Sequence, residues 1–218
     1  MKTKSKIAAP FLFTLAALAA TASLAGRPLA VDDANTDDVG TGHVEALYAH
    51  QPGSADTYTI APAYGIVDGI ELDAAISRDQ TNNLNTTMVQ AKFRLTASKK
   101  DGCNVAATVG VQQPDNGTGS TPYLNGILTC NMDDAGSVHV NLGVNRAPGG
   151  PTLNTWGLAF EREFGALTGH AEYFGQERGA PTFQLGLRTM VLKNLQVDGS
   201  IGTTGGETLY SVGAKFMF

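Results

Sequence analysis

Leu209-Tyr210-Ser211-Val212-Gly213-Ala214-Lys215-Phe216-Met217-Phe218 is the stretch that decides the fold. Tyr210, Val212, Ala214, Phe216 and Phe218 fall on every second position, with Leu209, Ser211, Gly213, Lys215 and Met217 between them. Successive side chains of a strand point to opposite faces, so this is a strand with one apolar side and one mixed side. It runs to the terminal carboxylate, where chains usually fray. A closed sheet gives a reason for such an ending, because its last strand must pair with its first to remove the edge. The competing reading is the last strand of a soluble two-sheet sandwich.

The 218 residues carry a formal net charge of -5, 26 Gly and only 16% charged residues. The length fits one domain once a leader is removed. The mild acidity, with no basic stripe, argues against a nucleic-acid partner. No mature run reaches the ~18 apolar residues of a membrane-spanning helix, but barrel strands alternate and leave mean hydropathy near zero. Lys2, Lys4 and Lys6, the apolar run Ile7 to Ala20 and the small residues Ser23-Leu24-Ala25 predict a secretory signal peptide over residues 1–25. No cysteine near the cleavage point suggests a lipid anchor. Residues 26–41 are polar and hold Asp32, Asp33, Asp37 and Asp38. These acids lack the ligand spacing of a calcium loop, so the segment is expected to be a solvated N-terminal strap.

From Gly42 onward, short alternating runs are broken by Gly, Pro, Asn and Asp. Strands are predicted at 42–50, 57–66, 69–78, 86–97, 103–112, 121–130, 137–146, 153–164, 166–175, 182–192, 194–203 and 207–218. That is about twelve, each near the ~9–11 residues of a tilted barrel strand. Tight connectors at Val67-Asp68-Gly69, Gly165 and Lys193-Asn194 alternate with longer polar ones near Gln51–Asp56, Asp79–Asn85, Gln113–Ser120, Arg146–Pro151 and Gln176–Pro181. Outer-membrane barrels have short periplasmic turns and longer outer loops. The expected fold is all-β, a single antiparallel up-and-down transmembrane β-barrel over residues 42–218.

Alternation divides the side chains into two faces. Leu72, Ile76, Val89, Phe93, Val109, Leu142, Leu158, Leu185 and Ile201 fall on the face expected to meet lipid. Glu71, Asp73, Gln90, Lys92, Arg94, Glu161, Glu163, His170, Glu172, Arg188, Asp198 and Lys215 fall on the lumen face. A hairpin centred between Asn82 and Asn83 would set Glu71 opposite Arg94 and Asp73 opposite Lys92. The turns at Gly165 and Lys193 would set Glu161 across from His170 and Arg188 near Asp198. Each such pair either cross-links the inner wall, worth about 0.2–1 kcal/mol, or is water-exposed charge of little consequence. The same counting places Cys103 opposite Cys130. An exported chain makes a disulfide the default, with two free buried thiols as the alternative.

Tyr210, Phe216 and the terminal Phe218 with the apolar positions between them resemble the C-terminal signature of bacterial outer-membrane barrels. That likeness implies recognition by the barrel-assembly machinery. Arg27-Pro28-Leu29 with Asp32-Asp33-Ala34, the stretch Tyr64-Gly65-Ile66-Val67-Asp68-Gly69-Ile70-Glu71-Leu72, and Asn194-Leu195-Gln196-Val197-Asp198-Gly199-Ser200-Ile201-Gly202 resemble the family of outer-membrane barrels labelled the meta-pathway of phenol degradation. The resemblance implies a bacterial outer-membrane location, lipid as surroundings, and passage of small aromatic or apolar compounds. It implies no functional residue, because its motifs mark turns. The two cysteines are outside its pattern.

Three functions compete. About twelve strands lie between barrels filled by side chains and those with an aqueous channel, which suggests a narrow channel for small-molecule solutes. A hydrolase would need a nucleophile and a base in register. His43, His50, His139 and His170 are scattered, GxSxG is absent, and only His170 beside Glu161 makes a pairing, so no catalytic residue, cofactor or metal is expected. A structural barrel without transport is the third reading. Tyr48, Tyr58, Tyr123, Trp156, Phe164, Tyr173, Phe183, Tyr210 and Phe218 are candidates for aromatic girdles.

Overall fold

The computed structural model describes residues 29–51 and 56–218. The proposed leader, the first residues of the strap and part of the connector after His50 lie outside them. Twelve strands form a closed antiparallel barrel in which each strand pairs with its neighbours in sequence and the first pairs with the last. They are β1 (Gly42–His50), β2 (Thr57–Val67), β3 (Ile70–Asp79), β4 (Leu84–Arg94), β5 (Gly102–Pro114) and β6 (Thr121–Asn131). The second half comprises β7 (Ser137–Arg146), β8 (Thr152–Phe164), β9 (Leu167–Gln176), β10 (Thr182–Leu192), β11 (Leu195–Thr204) and β12 (Glu207–Met217). Closure is made by β12 lying along β1 from His43↔Met217 to His50↔Tyr210. At its end Gly42 and Phe218 exchange both backbone hydrogen bonds, each at 2.9 Å.

The two faces of this wall are inverted relative to a water-soluble sheet. Leu142 is 67% exposed and Leu185 48% exposed on the outside. Leu72, Val89, Leu158 and Ile201 are likewise exposed, and Phe93 is half-buried on the same face. Glu71, Asp73, Gln90, Lys92, His170 and Glu172 are buried inside. An apolar exterior around a polar interior is the pattern of a membrane-spanning barrel. The alternation in each strand therefore encodes both surfaces of the wall. Tyr123 departs from the expected girdle: it points inward, is buried, and donates its hydroxyl to Gln90 Oε1 at 2.6 Å. It shares the inward face of β6 with Asn125, Ile127 and Thr129, so parity decides its side and not its aromatic character.

The connectors alternate less cleanly than expected. At the mouth where β1 begins and β12 ends, the turns after β2, β8 and β10 are tight, but residues 95–101 and 132–136 are longer. At the far mouth the turn after β11 is tight, Gly205-Gly206 with both residues at positive φ. The two longer connectors at the first mouth are fastened together. Cys103 pairs with Cys130 in register and forms a disulfide. Asn131 Nδ2 and Asn104 Nδ2 both donate to the carbonyl of Lys99, at 3.2 and 3.0 Å. Closing a loop of 27 residues is worth about 3–4 kcal/mol in the chain-entropy picture.

Candidate functional site

The strap is solvated only in part: residues 38–41, at the mouth shared by both ends of the wall, are exposed, while residues 29–34 lie in the barrel interior. Leu29, Val31 and Ala34 are buried, and Asp32 is 0% exposed. Val31 packs with Leu29, Ala159 and Phe174, and Ala34 with Ala106 and Ile127. Small inward residues make the room. A Cβ on Gly157 would lie 2.7 Å from Val31 Cγ2, and one on Gly65 would lie 2.5 Å from the Asp37 carbonyl oxygen.

Polar groups on distant strands hold the strap. Glu172 Oε2 on β9 accepts the amides of Ala30 and Val31 at 2.7 and 2.8 Å. Its other oxygen accepts Gln184 Nε2 at 3.0 Å. Asn141 on β7 accepts the Asp32 amide with its Oδ1 and donates its Nδ2 to the Asp32 carbonyl, both at 2.8 Å. Thr129 Oγ1 accepts the Ala34 amide at 2.9 Å, and Glu71 Oε2 accepts the Asp37 amide at 2.6 Å. Lys92 Nζ donates to Asp32 Oδ1 at 2.8 Å and stands 4.0 Å from Asp33 Oδ1. Both partners of the Asp32–Lys92 pair are withdrawn from water, so breaking it from one side leaves an uncompensated charge. Nearer the mouth, His43 Nδ1 meets Asp37 Oδ2 at 2.8 Å. Burial alone would push Asp37 up, but the hydrogen bond and charge of His43 outweigh it, and the carboxyl lies below its ordinary value.

The wall pairs differ in part from those expected. The hairpin of β3 and β4 is centred one residue earlier, so Glu71 faces Lys92 and Asp73 faces Gln90. The loop between them is four residues long, with Asn83 at φ 54°. Asp79 accepts both the backbone and side-chain N–H of Asn82 at 2.8 Å, which fixes this tighter turn. A shift of the centre by one residue moves partners by two, so the faces survive and the partners change. Neither Glu71–Arg94 nor Asp73–Lys92 is a facing pair. Asp73 Oδ2 instead accepts Gln90 Nε2 at 2.9 Å, and Arg94 turns to Asp68 in the turn after β2. Glu161 faces His170, and Arg188 faces Asp198. The Arg188 guanidinium nevertheless reaches past β9 to Glu161, at 2.7 Å. Thr168 lies between them on the inward face and is short enough to be passed over. His170 Nε2 lies 3.6 Å from Glu172 Oε1, and His139 Nε2 lies 3.6 Å from Glu161 Oε1.

Space remains toward each mouth. Toward the far mouth a narrow cleft of ≈ 60 Å³ is lined by Ala30, Val31, Tyr123, Asn125, Asn145 and Gln176 among others. At the near mouth a space of ≈ 550 Å³ lies among Asp133, Asp134, Glu161, Glu163 and Arg188. Among the described residues no group of three or more His, Cys, Asp or Glu is arranged to hold a metal ion. Asp32, Asn141, Thr129 and Glu172 were not legible as a set, since each lies far from the others in sequence. Two signals pointed toward them: a lysine on the lumen face of a central strand, and Gly or Ala at inward positions such as Gly157, Ala159 and Ala106.

The family model described as uncharacterised conserved protein UCP029691 matches residues 13–211. A solved KdgM porin superposes with a TM-score of 0.69 at 17% identity, over 81% of this chain and 99% of its own. The KdgM porin in complex with disordered oligogalacturonate gives 0.70 at 17% identity and the same coverage. At this identity the likeness is one of fold. No curated protein matches. The comparisons support the barrel that the turn motifs implied and carry nothing specific to the phenol-pathway label.

Proposed function

The chain belongs to the family of uncharacterised conserved protein UCP029691, and from its fold and lumen we propose that it is a narrow outer-membrane channel for small polar solutes. One observation carries this reading: a closed wall, apolar outside, encloses a lumen lined by amides, hydroxyls and charges, with space toward each mouth. A twelve-stranded ring is wider than the eight-stranded barrels that side chains fill and narrower than open porins. The exposed aromatic residues Tyr58, Phe164, Tyr173, Phe183 and Phe218 suit a girdle at the lipid borders. The C-terminal strand with Tyr210, Phe216 and Phe218 would serve as the assembly signal, after export by residues 1–25.

The lining favours polar cargo over the aromatic or apolar compounds that the turn resemblance implies. The oligogalacturonate held by the KdgM porin suggests a sugar acid. Glu45, Glu71, Asp73, Glu161 and Glu172 line this lumen, however, and like charges at close range repel a chain of carboxylates. The purified protein in planar bilayers should give small conductance steps, and proteoliposomes should swell in neutral sugars with a rate that falls steeply with size. A second reading has its own support. The buried Asp32–Lys92 pair fastens the strap across the lumen as a permanent filling would, and a structural barrel would pass no solute even after Asp32→Asn. Absence of permeability in both proteins refutes the channel.

A further inference from the structure

The strap is gripped mainly by its main chain. Four wall side chains, Glu172, Asn141, Thr129 and Glu71, take five backbone N–H groups and return one donor to a backbone carbonyl. Contacts of this kind hold an extended peptide whatever its side chains, as edge strands do when they add a peptide. One fully buried side chain is read in addition, beside the half-buried Asp37 on His43. The Asp32 carboxylate meets Lys92 Nζ at 2.8 Å and Thr108 Oγ1 at 3.5 Å. All six wall groups are buried and lie on six different strands, β3, β4, β5, β6, β7 and β9. Val31 and Ala34 pack on small apolar patches, and the rest of the wall offers amide and carboxylate groups spaced along a backbone, with a glycine where Val31 must fit.

We propose that the strap is a tethered stand-in for a ligand, and that the lumen is a binding track for a short extended peptide with an acidic side chain at the place of Asp32. This deepens the channel reading and rests on it. The ligand's backbone would take the places of Ala30 to Ala34 on Glu172, Asn141 and Thr129, and its carboxylate the place of Asp32 on Lys92. Glu172 and Glu71 take N–H donors from the strap, and a chain of sugar carboxylates has none to give them. The strap competes from a short tether, at an effective concentration of order mM, and must be loosened before a free peptide enters.

The test uses the full chain in detergent and a fluorescent synthetic peptide with the sequence of residues 29–38. Asp32→Asn protein should bind it at least tenfold more tightly than the parent does. Changing the first aspartate of the peptide to asparagine should weaken binding to that variant at least tenfold. Lys92→Met should erase the difference between the two peptides. Ala34→Asp, which places a charge at a fully buried position of the strap and leaves every wall group intact, serves as the second loosened variant if Asp32→Asn does not fold. Equal affinity for the two peptides, no binding to the loosened variant, or equally tight binding of an oligogalacturonate overturns the proposal. Binding is read without conductance. A protein that takes the peptide but passes no ion refutes the channel and keeps the site, while one that conducts and ignores the peptide does the reverse.

Discussion

The two ends of the chain reach opposite fates. The last strand becomes part of the wall, with Tyr210, Val212 and Phe216 exposed outside and Lys215 turned in toward Glu45 at 3.4 Å. The strap has no regular structure and lies inside the ring. The wall strand is specified by its own alternation and by neighbours that any register of the same parity would supply. The buried stretch of the strap, Ala30 to Ala34, is specified by partners 60 to 142 residues away. One end is local information and the other is long-range chemistry, and perturbations should separate them.

The largest effect is expected at the strap's anchor. Lys92→Met leaves Asp32 buried without its cation, a change that costs about 3–5 kcal/mol when the charge cannot leave. The strap can leave, so the variant should keep a closed, heat-modifiable barrel while the strap becomes open to protease. A barrel that fails to close would show that wall and strap are one unit. Replacing Cys103 and Cys130 with serine should lower barrel stability by about 3–4 kcal/mol in denaturant while the strap stays protected. Leu142→Arg, on the outer face in a central stretch of β7, should destabilise insertion by about 2–4 kcal/mol without altering strap protection.

The smallest effect is one of pH. Asp37 in the docked strap sits below its ordinary value, so its contribution is complete above the free carboxylate pKa of ~3.9 and disappears as pH falls through the docked value. Strap protection should therefore weaken as pH falls below the free carboxylate value of ~3.9, and Asp37→Asn should flatten that step. A step of equal size in both proteins would assign it to another acid.

The same contrast explains what could be read in advance. Twelve strands, their faces, and the Cys103–Cys130 pairing follow from parity and turn residues, which are local. The β3–β4 partners were missed because Asn82 and Asn83 both suit a turn, and only the side-chain capping by Asp79 chooses the centre. Tyr123 was misplaced because an aromatic residue suggests a girdle, whereas its parity sends it to the lumen. The strap looked solvated because the partners of Asp32, Lys92 and Thr108, lie 60 and 76 residues away. Lys92, which accounts for Asp32, was itself assigned to a different partner in the wall.

The reciprocal Gly42–Phe218 hydrogen bonds fasten the hoop at the corner from which the strap hangs. A hoop completed by its own first and last staves stays open until those two have met. The six anchors of the strap lie on staves between them, so its seat comes from the middle of the ring and the seam from its margins.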